Sequence, residues 1–179
     1  RRAKNVIFEL SDGYSLLIHM KMTGHLLVGK WEKVKDEWQS VEPGVMQEKI
    51  NGYLHLIFSL DDGQMIALSD LRKFAKVELW KTDELFNGEE FLAWGPEPLE
   101  ESFTLEKFKE VLRGKKGKIK QVIMTPKVIA GIGNIYASEA LWWARIHPAK
   151  STSTLSKKEL QALYGAIKKV LAAGIDFGG

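Results

Sequence analysis

The chain has 179 residues, of which 45% are apolar and 27% are charged, a composition typical of a folded protein with one domain or two small ones. It contains no cysteine, which excludes a disulfide framework, a cysteine-rich zinc site and a cysteine nucleophile from these residues. No run of about 18 apolar residues predicts a transmembrane helix, and the start at Arg1 and Arg2 is unlike a signal peptide.

The net charge of +3 hides an asymmetry. Residues 1–100 contain 12 Lys and Arg against 17 Asp and Glu, a net charge of −5, whereas residues 101–179 contain 14 against 6, a net charge of +8. Part of the excess is a basic run, formed by Arg113, Lys115, Lys116, Lys118 and Lys120. Such a run could follow phosphates, or it could be a flexible, solvated loop, and charge alone leaves both interpretations open.

The first part of the chain is predicted to form short strands. They cover Asn5–Leu10, Tyr14–Met20, His25–Val28, Tyr53–Leu60, Gln64–Ser69 and Ala75–Trp80. The turn sequences Ser11-Asp12-Gly13 and Asp61-Asp62-Gly63 predict two hairpins, whereas the polar stretch 29–50 cannot be assigned. This pattern favours an antiparallel β-sandwich or barrel-like domain over residues 1–94.

Beyond this point the pattern becomes helical. Gly95-Pro96-Glu97-Pro98 marks a linker over residues 95–103. Apolar residues at helical spacing then predict a helix over Thr104–Arg113. Lys118–Met124 is a short helical candidate that ends before Pro126, and Asn134–Ala144 is a predicted helix that begins after the glycines and stops before Pro148. A last helix opens with a capping box at Ser156 and Glu159, has its apolar residues on one face and ends at Gly174. The predicted fold class is therefore α+β with two domains, the second a helical domain over residues 104–179.

A glycine-rich turn, Gly131-Ile132-Gly133, lies between two of these helices. Asn134 is expected to cap the following helix, and the free N–H groups there would suit a phosphate. A capped interhelical turn with no ligand would give the same sequence. A dinucleotide-binding loop is disfavoured because a helix precedes the turn, where that motif needs a strand.

Two further features favour contact with nucleic-acid bases. Met22 lies in a turn, where an apolar side chain is poorly placed for a core but could act as a wedge between bases. In an extended Leu71–Phe74 segment, Arg72 and Phe74 would point to one face and suit the void left by an extruded base. The alternatives are that Met22 fills the core and that Arg72 pairs with Asp70 or Asp12.

Other chemistry has little support in the sequence. The paired acids Asp61/Asp62 and Glu89/Glu90 belong to a predicted turn and a loop, so glycosidase-type acid–base chemistry is disfavoured. The histidines lack the spacing of metal ligands, and no metal site is predicted; they are His19, His25, His55 and His147.

Over essentially its whole length, the sequence resembles the formamidopyrimidine-DNA glycosylase family. The segments that carry the resemblance, in family order, are Arg1-Arg2-Ala3-Lys4, His19-Met20-Lys21-Met22-Thr23-Gly24, Asp70-Leu71-Arg72-Lys73-Phe74, Gly95-Pro96-Glu97-Pro98-Leu99, Ile129-Ala130-Gly131-Ile132-Gly133-Asn134-Ile135-Tyr136-Ala137-Ser138-Glu139 and Ile146-His147-Pro148. The fifth of these marks a helix–two-turn–helix DNA-binding element. One departure is Ala75, where the family usually has glycine.

The resemblance implies a bifunctional base-excision repair enzyme. Such an enzyme removes 8-oxoguanine and formamidopyrimidines from damaged double-stranded DNA by base flipping and then cleaves the abasic site by β,δ-elimination. Its nucleophile is the amine of an N-terminal proline, followed by a glutamate, and it ends in a four-cysteine finger that holds one zinc ion. Neither segment occurs here, so the resemblance implies an internal, inactive fragment with no zinc bound by these residues. It also implies a monomer in the bacterial cytoplasm, associated with the nucleoid and not with a membrane.

The resemblance also implies roles for individual residues. Two would contact phosphates, namely His19 and Lys4, which would also lie near the active centre. Met22 would be the wedge, Arg72 would face the orphaned cytosine and Phe74 would intrude beside it. The phosphate-binding turn would comprise Gly131, Gly133 and Asn134.

Three other functions remain open. One is a DNA-binding module without catalysis, and a second is an enzyme like endonuclease VIII that acts on oxidised pyrimidines, although the Met22, Arg72 and Phe74 combination favours the purine branch. The third is an unrelated scaffold whose basic half binds acidic proteins, which would show no salt-sensitive affinity for DNA.

Overall fold

The structure is a computed structural model that describes residues 1–176. Contacts between residues divide the chain into two compact units. Asn5–Thr82 form one, which we call the β unit. Arg1–Lys4 and the chain from Asp83 onward form the other, which we call the helical unit. No described helix is both long and apolar enough to cross a membrane.

The described residues of the β unit form eight antiparallel strands. They are β1 (Asn5–Glu9), β2 (Tyr14–His19), β3 (His25–Gly29), β4 (Trp31–Val34), β5 (Glu37–Ser40), β6 (Leu54–Ser59), β7 (Met65–Ser69) and β8 (Lys76–Lys81). One sheet has the order β1-β2-β8, the next has the order β3-β7-β6, and β4 pairs with β5. Both predicted hairpins are confirmed, because β1 pairs with β2 and β6 pairs with β7.

The central strand of each three-stranded sheet supplies most of the buried apolar side chains of this unit. Leu17 and Ile18 of β2 are buried, as are Ala67 and Leu68 of β7. Two strands of the unassigned stretch 29–50 form a hairpin, in which Trp31 is only 4% exposed. Its burial explains why a largely polar sequence still forms ordered strands.

The described residues of the helical unit form six α-helices. They are α1 (Thr82–Phe86, which begins at the last residue of the β unit), α2 (Glu89–Leu92), α3 (Leu105–Leu112), α4 (Ile119–Ile123), α5 (Asn134–Ala144) and α6 (Lys157–Asp176). Apolar faces of α3 to α6 enclose one core, which includes Phe108, Ile123, Leu141 and Ile167. This arrangement confirms the predicted α+β class.

The start of α6 is the predicted capping box. The backbone N–H and the hydroxyl of Ser156 both donate to Glu159 Oε2, each at 2.9 Å, and the Glu159 N–H donates to Ser156 Oγ at 3.2 Å. These bonds satisfy backbone donors that the first helical turn leaves unpaired, and a cap of this kind contributes about 0.5–2 kcal/mol.

The predicted end of α6 at Gly174 is wrong, because the helix continues to Asp176. A Cβ at Gly174 would lie 2.6 Å from Cζ of Tyr136, so the glycine makes room for the ring of α5 packed against it. Gly174 therefore serves a tertiary contact between two helices, and it does not cap α6.

Candidate nucleic-acid interface

Three exposed side chains of the β unit form a cluster, which we call the Met22–Arg72–Phe74 cluster. Met22 lies in the turn between β2 and β3 and is 75% exposed, which is inconsistent with a core-filling role. Arg72 Nη1 lies 3.4 Å from the Met22 sulfur, and its Cζ lies 4.9 Å from the centre of the Phe74 ring. The guanidinium therefore bridges an apolar chain and an aromatic face, and an exposed cation–π contact contributes about 0.5–1 kcal/mol.

The segment that carries Arg72 is a turn, so the predicted extended conformation is wrong. Lys73 adopts φ = 58°, in the left-handed region, and its N–H donates to the Asp70 carbonyl at 3.3 Å. The turn still brings Arg72 and Phe74 together. Ala75, which replaces the usual family glycine, is not in the left-handed region, so its Cβ meets no such backbone strain.

The Asp70 side chain lies inside the bend and is fully buried. Its carboxylate accepts from the Thr23 hydroxyl, from the Arg72 N–H at 3.2 Å and from the Ala75 N–H at 2.7 Å. The Thr23 hydroxyl, followed by the Ala75 N–H, lowers the pKa of Asp70 from 3.8 to about 2. The predicted alternative, a side-chain pair between Arg72 and Asp70, does not form: Arg72 contacts Asp70 through its backbone N–H, and its guanidinium lies against Met22 and Phe74.

His19 and Lys4 lie in different units. His19 is the last residue of β2, is half-buried and accepts at Nδ1 from the Lys21 N–H at 2.9 Å. Lys4 is exposed and has φ = 67°. The residues just before Lys4 are held by Glu97, whose Oε1 accepts from the Ala3 N–H at 2.6 Å and from Arg2 Nη1 at 3.2 Å.

Glu97 also lies beside the glycine-rich turn of the helical unit. A Cβ at Gly131, which has φ = 82°, would lie 3.1 Å from Glu97 Oε2. Glycine at position 131 therefore permits both the left-handed backbone conformation and the close approach of the Glu97 side chain. The Ala130 N–H donates to the Pro96 carbonyl at 3.0 Å, so the proline-rich segment is bonded to the chain that leads into the turn.

The prediction that Asn134 caps α5 is wrong. Gly133 is the N-cap, in an extended conformation, and no side chain caps the helix. Asn134 is the first helical residue and its side chain is exposed. The first-turn N–H groups of α5 are left without a side-chain acceptor, which is the arrangement that binds anions at helix N-termini.

A lysine of the predicted basic run lies beside this turn. Lys120 Nζ donates to Ser138 Oγ at 2.9 Å, and that hydroxyl donates to the Asn134 carbonyl at 3.0 Å. Four other members of the run are exposed, namely Arg113, Lys115, Lys116 and Lys118. The first turn of α5 therefore has a cation on its flank as well as the positive end of the helix dipole.

The structure thus brings the predicted residues together in two sets. Met22, Arg72 and Phe74 meet in the β unit, and Gly131, Gly133 and Asn134 form one turn in the helical unit. The sequence analysis missed the anchoring contacts of Asp70 and Glu97. Asp70 comes directly before a turn, and an aspartate at such a position often accepts hydrogen bonds from the backbone of that turn, so its contacts could have been predicted. Nothing in the sequence near Glu97 indicates its partners.

Metal ligation has no support in the described residues. Within residues 1–176, no group of three or more potential ligands could hold a metal ion. The sequence contains no cysteine, so a four-cysteine zinc finger cannot be built from these residues.

These units define an α+β protein in which an antiparallel β domain accompanies a helix–two-turn–helix domain. Residues 1–77 match the family model of the formamidopyrimidine-DNA glycosylase N-terminal domain, and residues 94–179 match that of the formamidopyrimidine-DNA glycosylase H2TH domain. The chain belongs to the formamidopyrimidine-DNA glycosylase family.

Individual relatives agree with the family models. The formamidopyrimidine-DNA glycosylase of Roseiflexus sp. is 39% identical over 181 residues, and that of Rickettsia africae is 40% identical over 179. The match covers 100% of this chain but 59% and 60% of those proteins. The chain therefore spans about three fifths of the length of these relatives.

Solved structures of Lactococcus lactis Fpg show the same fold. One is a complex with abasic-site DNA, with a TM-score of 0.81, and another is a complex with FAPY-dG DNA, with a TM-score of 0.80. Both are 33% identical in sequence and cover 100% of this chain. The match covers 60% and 62% of those two chains.

Proposed function

We propose that this chain supplies the lesion-probing and backbone-binding parts of a DNA glycosylase and AP lyase of base-excision repair. Its substrate would be double-stranded DNA that contains oxidised purines, such as 8-oxoguanine and formamidopyrimidines. The observation that carries the proposal is the exposed Met22–Arg72–Phe74 cluster. The Lactococcus lactis neighbours, described as complexes with abasic-site and FAPY-dG DNA, support the same class of ligand.

The cluster has the chemistry that an extruded base requires. Removing a base from the stack costs a few kcal/mol, which inserted side chains can offset. Met22, which is 75% exposed, would enter between base steps as an apolar wedge. Arg72 would donate to the base left without a partner, a contact type that discriminates by about 1–3 kcal/mol, and Phe74 would stack beside it.

The helical unit would bind the DNA backbone. Asn134 and the first-turn N–H groups of α5 would bind one phosphate, with Lys120 alongside. The basic run would add affinity that weakens as salt rises, because each phosphate contact releases counterions. Lys4 and His19 would contact phosphates near the lesion, Lys4 close to the reacting centre. Contacts of this kind position a protein on DNA without reading its sequence.

The chemical step requires groups that these 179 residues do not contain. We propose that a longer protein supplies the amine of an N-terminal proline as nucleophile and a four-cysteine finger for one zinc ion. The chain alone would then bind damaged DNA without cleaving it. We also propose that the protein acts as a monomer in the bacterial cytoplasm, at the nucleoid.

The proposal is tested by the affinity of the 179-residue chain for two duplexes, one undamaged and one with an abasic-site analogue, at several salt concentrations. The expected result is tighter binding of the damaged duplex and weaker binding of both as salt rises. Equal affinity for the two duplexes would contradict lesion probing. The absence of any salt-sensitive affinity for either duplex would instead favour a scaffold that binds acidic proteins.

The lesion class is tested with the longer protein. Faster cleavage of a duplex with 8-oxoguanine than of one with an oxidised pyrimidine is expected. The reverse order would support the endonuclease VIII type of activity, and no cleavage of either would support a non-catalytic module.

Asn134→Ala tests the backbone role of the helical unit. Loss of the exposed amide is expected to weaken binding of damaged and undamaged duplexes by similar factors, because a phosphate contact carries no sequence or lesion information. Asn87→Ala, at an exposed position after α1, is the matched control and should leave both affinities unchanged. Unchanged affinity of Asn134→Ala at matched salt would count against the role of the glycine-rich turn.

A further inference from the structure

We infer that Asp70 is the positioning residue of the Met22–Arg72–Phe74 cluster, because one buried carboxylate holds both turns that carry it. This inference rests on the proposed function, in which the cluster enters the duplex at a lesion. Asp70 would not touch DNA in this role, because its side chain is fully buried. Its effect on lesion recognition would pass through the turns that it holds.

The carboxylate of Asp70 accepts hydrogen bonds from both turns, and its Oδ1 atom alone links one turn to the other. Oδ1 accepts from the hydroxyl of Thr23, the neighbour of Met22, and from the Arg72 N–H at 3.2 Å. Oδ2 accepts from the Ala75 N–H at 2.7 Å, just beyond Phe74. A carboxylate has acceptor capacity for all three donors, whereas an amide at this position has a single acceptor oxygen.

Both turns contain backbone that needs such support. Lys21, just before Met22, has φ = 56°, and Lys73, between Arg72 and Phe74, has φ = 58°. Side-chain-bearing residues adopt this left-handed region at a cost, and they remain there when surrounding contacts fix the chain. Asp70 receives hydrogen bonds from residues on both sides of Lys73 and from Thr23, two residues after Lys21.

The turns also pack closely against each other. A Cβ at Gly24 would lie 2.6 Å from the Met20 carbonyl oxygen and 3.0 Å from Ala75 Cβ. The glycine therefore lets the chain after Met22 approach the chain after Phe74. A small displacement of one turn would be transmitted directly to the other.

Two histidines contact the backbone carbonyl groups of the two residues that share the central hydrogen bond, Thr23 and Asp70. His25 Nδ1 lies 3.1 Å from the Thr23 carbonyl oxygen, and His55 Nε2 lies 2.8 Å from the Asp70 carbonyl oxygen. His25 Nε2 also lies 2.7 Å from Oδ1 of Asn51, a residue that is 5% exposed. A network of hydrogen bonds centred on the Asp70–Thr23 pair thus supports the two turns that carry the exposed cluster.

The test compares Asp70→Asn, Thr23→Val and Thr23→Ser in the 179-residue chain. The readouts are the affinities for abasic-site and undamaged duplexes, and the fluorescence of a base analogue beside the lesion at saturating protein. Asp70→Asn should reduce the preference for the damaged duplex by about tenfold, which corresponds to the loss of one charge-assisted hydrogen bond. Affinity for the undamaged duplex should not change, because the proposed backbone contacts of the helical unit are intact.

The Thr23 variants separate positioning from a general loss of folding. Thr23→Val removes the hydroxyl but leaves the backbone donors to Asp70, so it should lose lesion preference in the same direction but by a smaller factor. Thr23→Ser keeps the hydroxyl and should restore the preference. If Asp70→Asn fails to fold, this pair still decides the question, since Thr23→Val equal to the wild-type chain would overturn the inference.

Failure of this inference can be distinguished from failure of the proposed function. If the wild-type chain shows no preference for the damaged duplex, the proposed function fails and this inference fails with it. If the wild-type chain prefers the damaged duplex and Met22→Ala loses that preference, the function stands. A full preference in folded Asp70→Asn would then overturn the positioning role alone.

Discussion

Two carboxylates show how single residues are held in this protein. The pKa of Asp70 is lowered to about 2, chiefly by the Thr23 hydroxyl, and that of Glu159 is lowered from 4.5 to about 2, chiefly by Lys150. Lys150 Nζ donates to Glu159 Oε1 at 2.5 Å. In both cases the ionised form is the one that the fold stabilises.

The pH dependence of stability follows from these lowered pKa values. A carboxylate whose pKa falls on folding stabilises the protein above its unfolded pKa, and this contribution disappears as pH falls through the folded pKa. Glu159→Gln should therefore lower the melting temperature most at about pH 5 and above. The difference from the wild-type chain should shrink as pH approaches about 2.

Thermal melting of both proteins across this pH range checks the prediction. The wild-type chain should lose stability more steeply on acidification than Glu159→Gln. A difference in melting temperature that stays constant with pH would show that the stabilisation by Glu159 does not depend on its ionisation.

The exposed position of Met22 could be predicted from its local sequence, whereas contacts between residues that are distant in the chain could not. Met22 was recognisable because an apolar side chain in a turn has no evident place in a core. Glu97 was not, because its partners, Arg2 and Ala3, lie more than 90 residues away in the chain. The N-cap of α5 was predicted one residue too late, at Asn134, because the extended conformation of Gly133 makes the glycine the N-cap.

At the scale of elements, the long helix α6 contains two glycines in opposite environments. Gly165 is exposed, and a Cβ there would meet no atom within 4 Å. A Cβ at Gly174 would overlap the Tyr136 ring. The two positions therefore form a matched pair within one helix.

Alanine at these positions should change stability in opposite directions. Gly165→Ala should stabilise the chain by about 0.5–1 kcal/mol, because alanine loses less backbone entropy in a helix. Gly174→Ala should destabilise it by about 1–3 kcal/mol, because the ring of Tyr136 must move. Urea unfolding measures both changes, and equal stabilisation by the two variants would refute the packing role of Gly174.

Elements with a clear period were predictable and the others were not. Helix α3 lies within one residue of its predicted bounds at each end, since its apolar positions follow helical spacing. The predicted bounds of α5 also agree with the structure, but they rest on the glycine-rich turn before the helix and Pro148 after it, because α5 carries apolar residues on all sides. Strands β4 and β5 have mostly exposed residues, so they lack the alternation of apolar and polar residues that predicts a strand. The predicted end of α6 failed because glycine has two uses at a helix end, a cap and a close contact, and sequence alone does not separate them.

At the scale of the whole molecule, most of the acidic first part of the chain lies in the β unit, and the basic second part lies in the helical unit. The exposed cluster lies in the β unit, and the basic run lies in the helical unit, where its member Lys120 is beside the glycine-rich turn. The predicted domain limits at residues 94 and 104 stay a prediction.

Insertion of Met22 into the duplex is the central event in the proposed recognition of damaged DNA. The decisive measurement is the fluorescence of a base analogue beside an abasic-site analogue, with saturating wild-type chain, Met22→Ala or Leu79→Ala. Leu79 is 62% exposed on β8 of the same unit, so its replacement controls for loss of an exposed apolar side chain. We predict a strong rise in fluorescence with the wild-type chain and Leu79→Ala, and a much smaller rise with Met22→Ala. An equal rise with all three proteins would contradict the account.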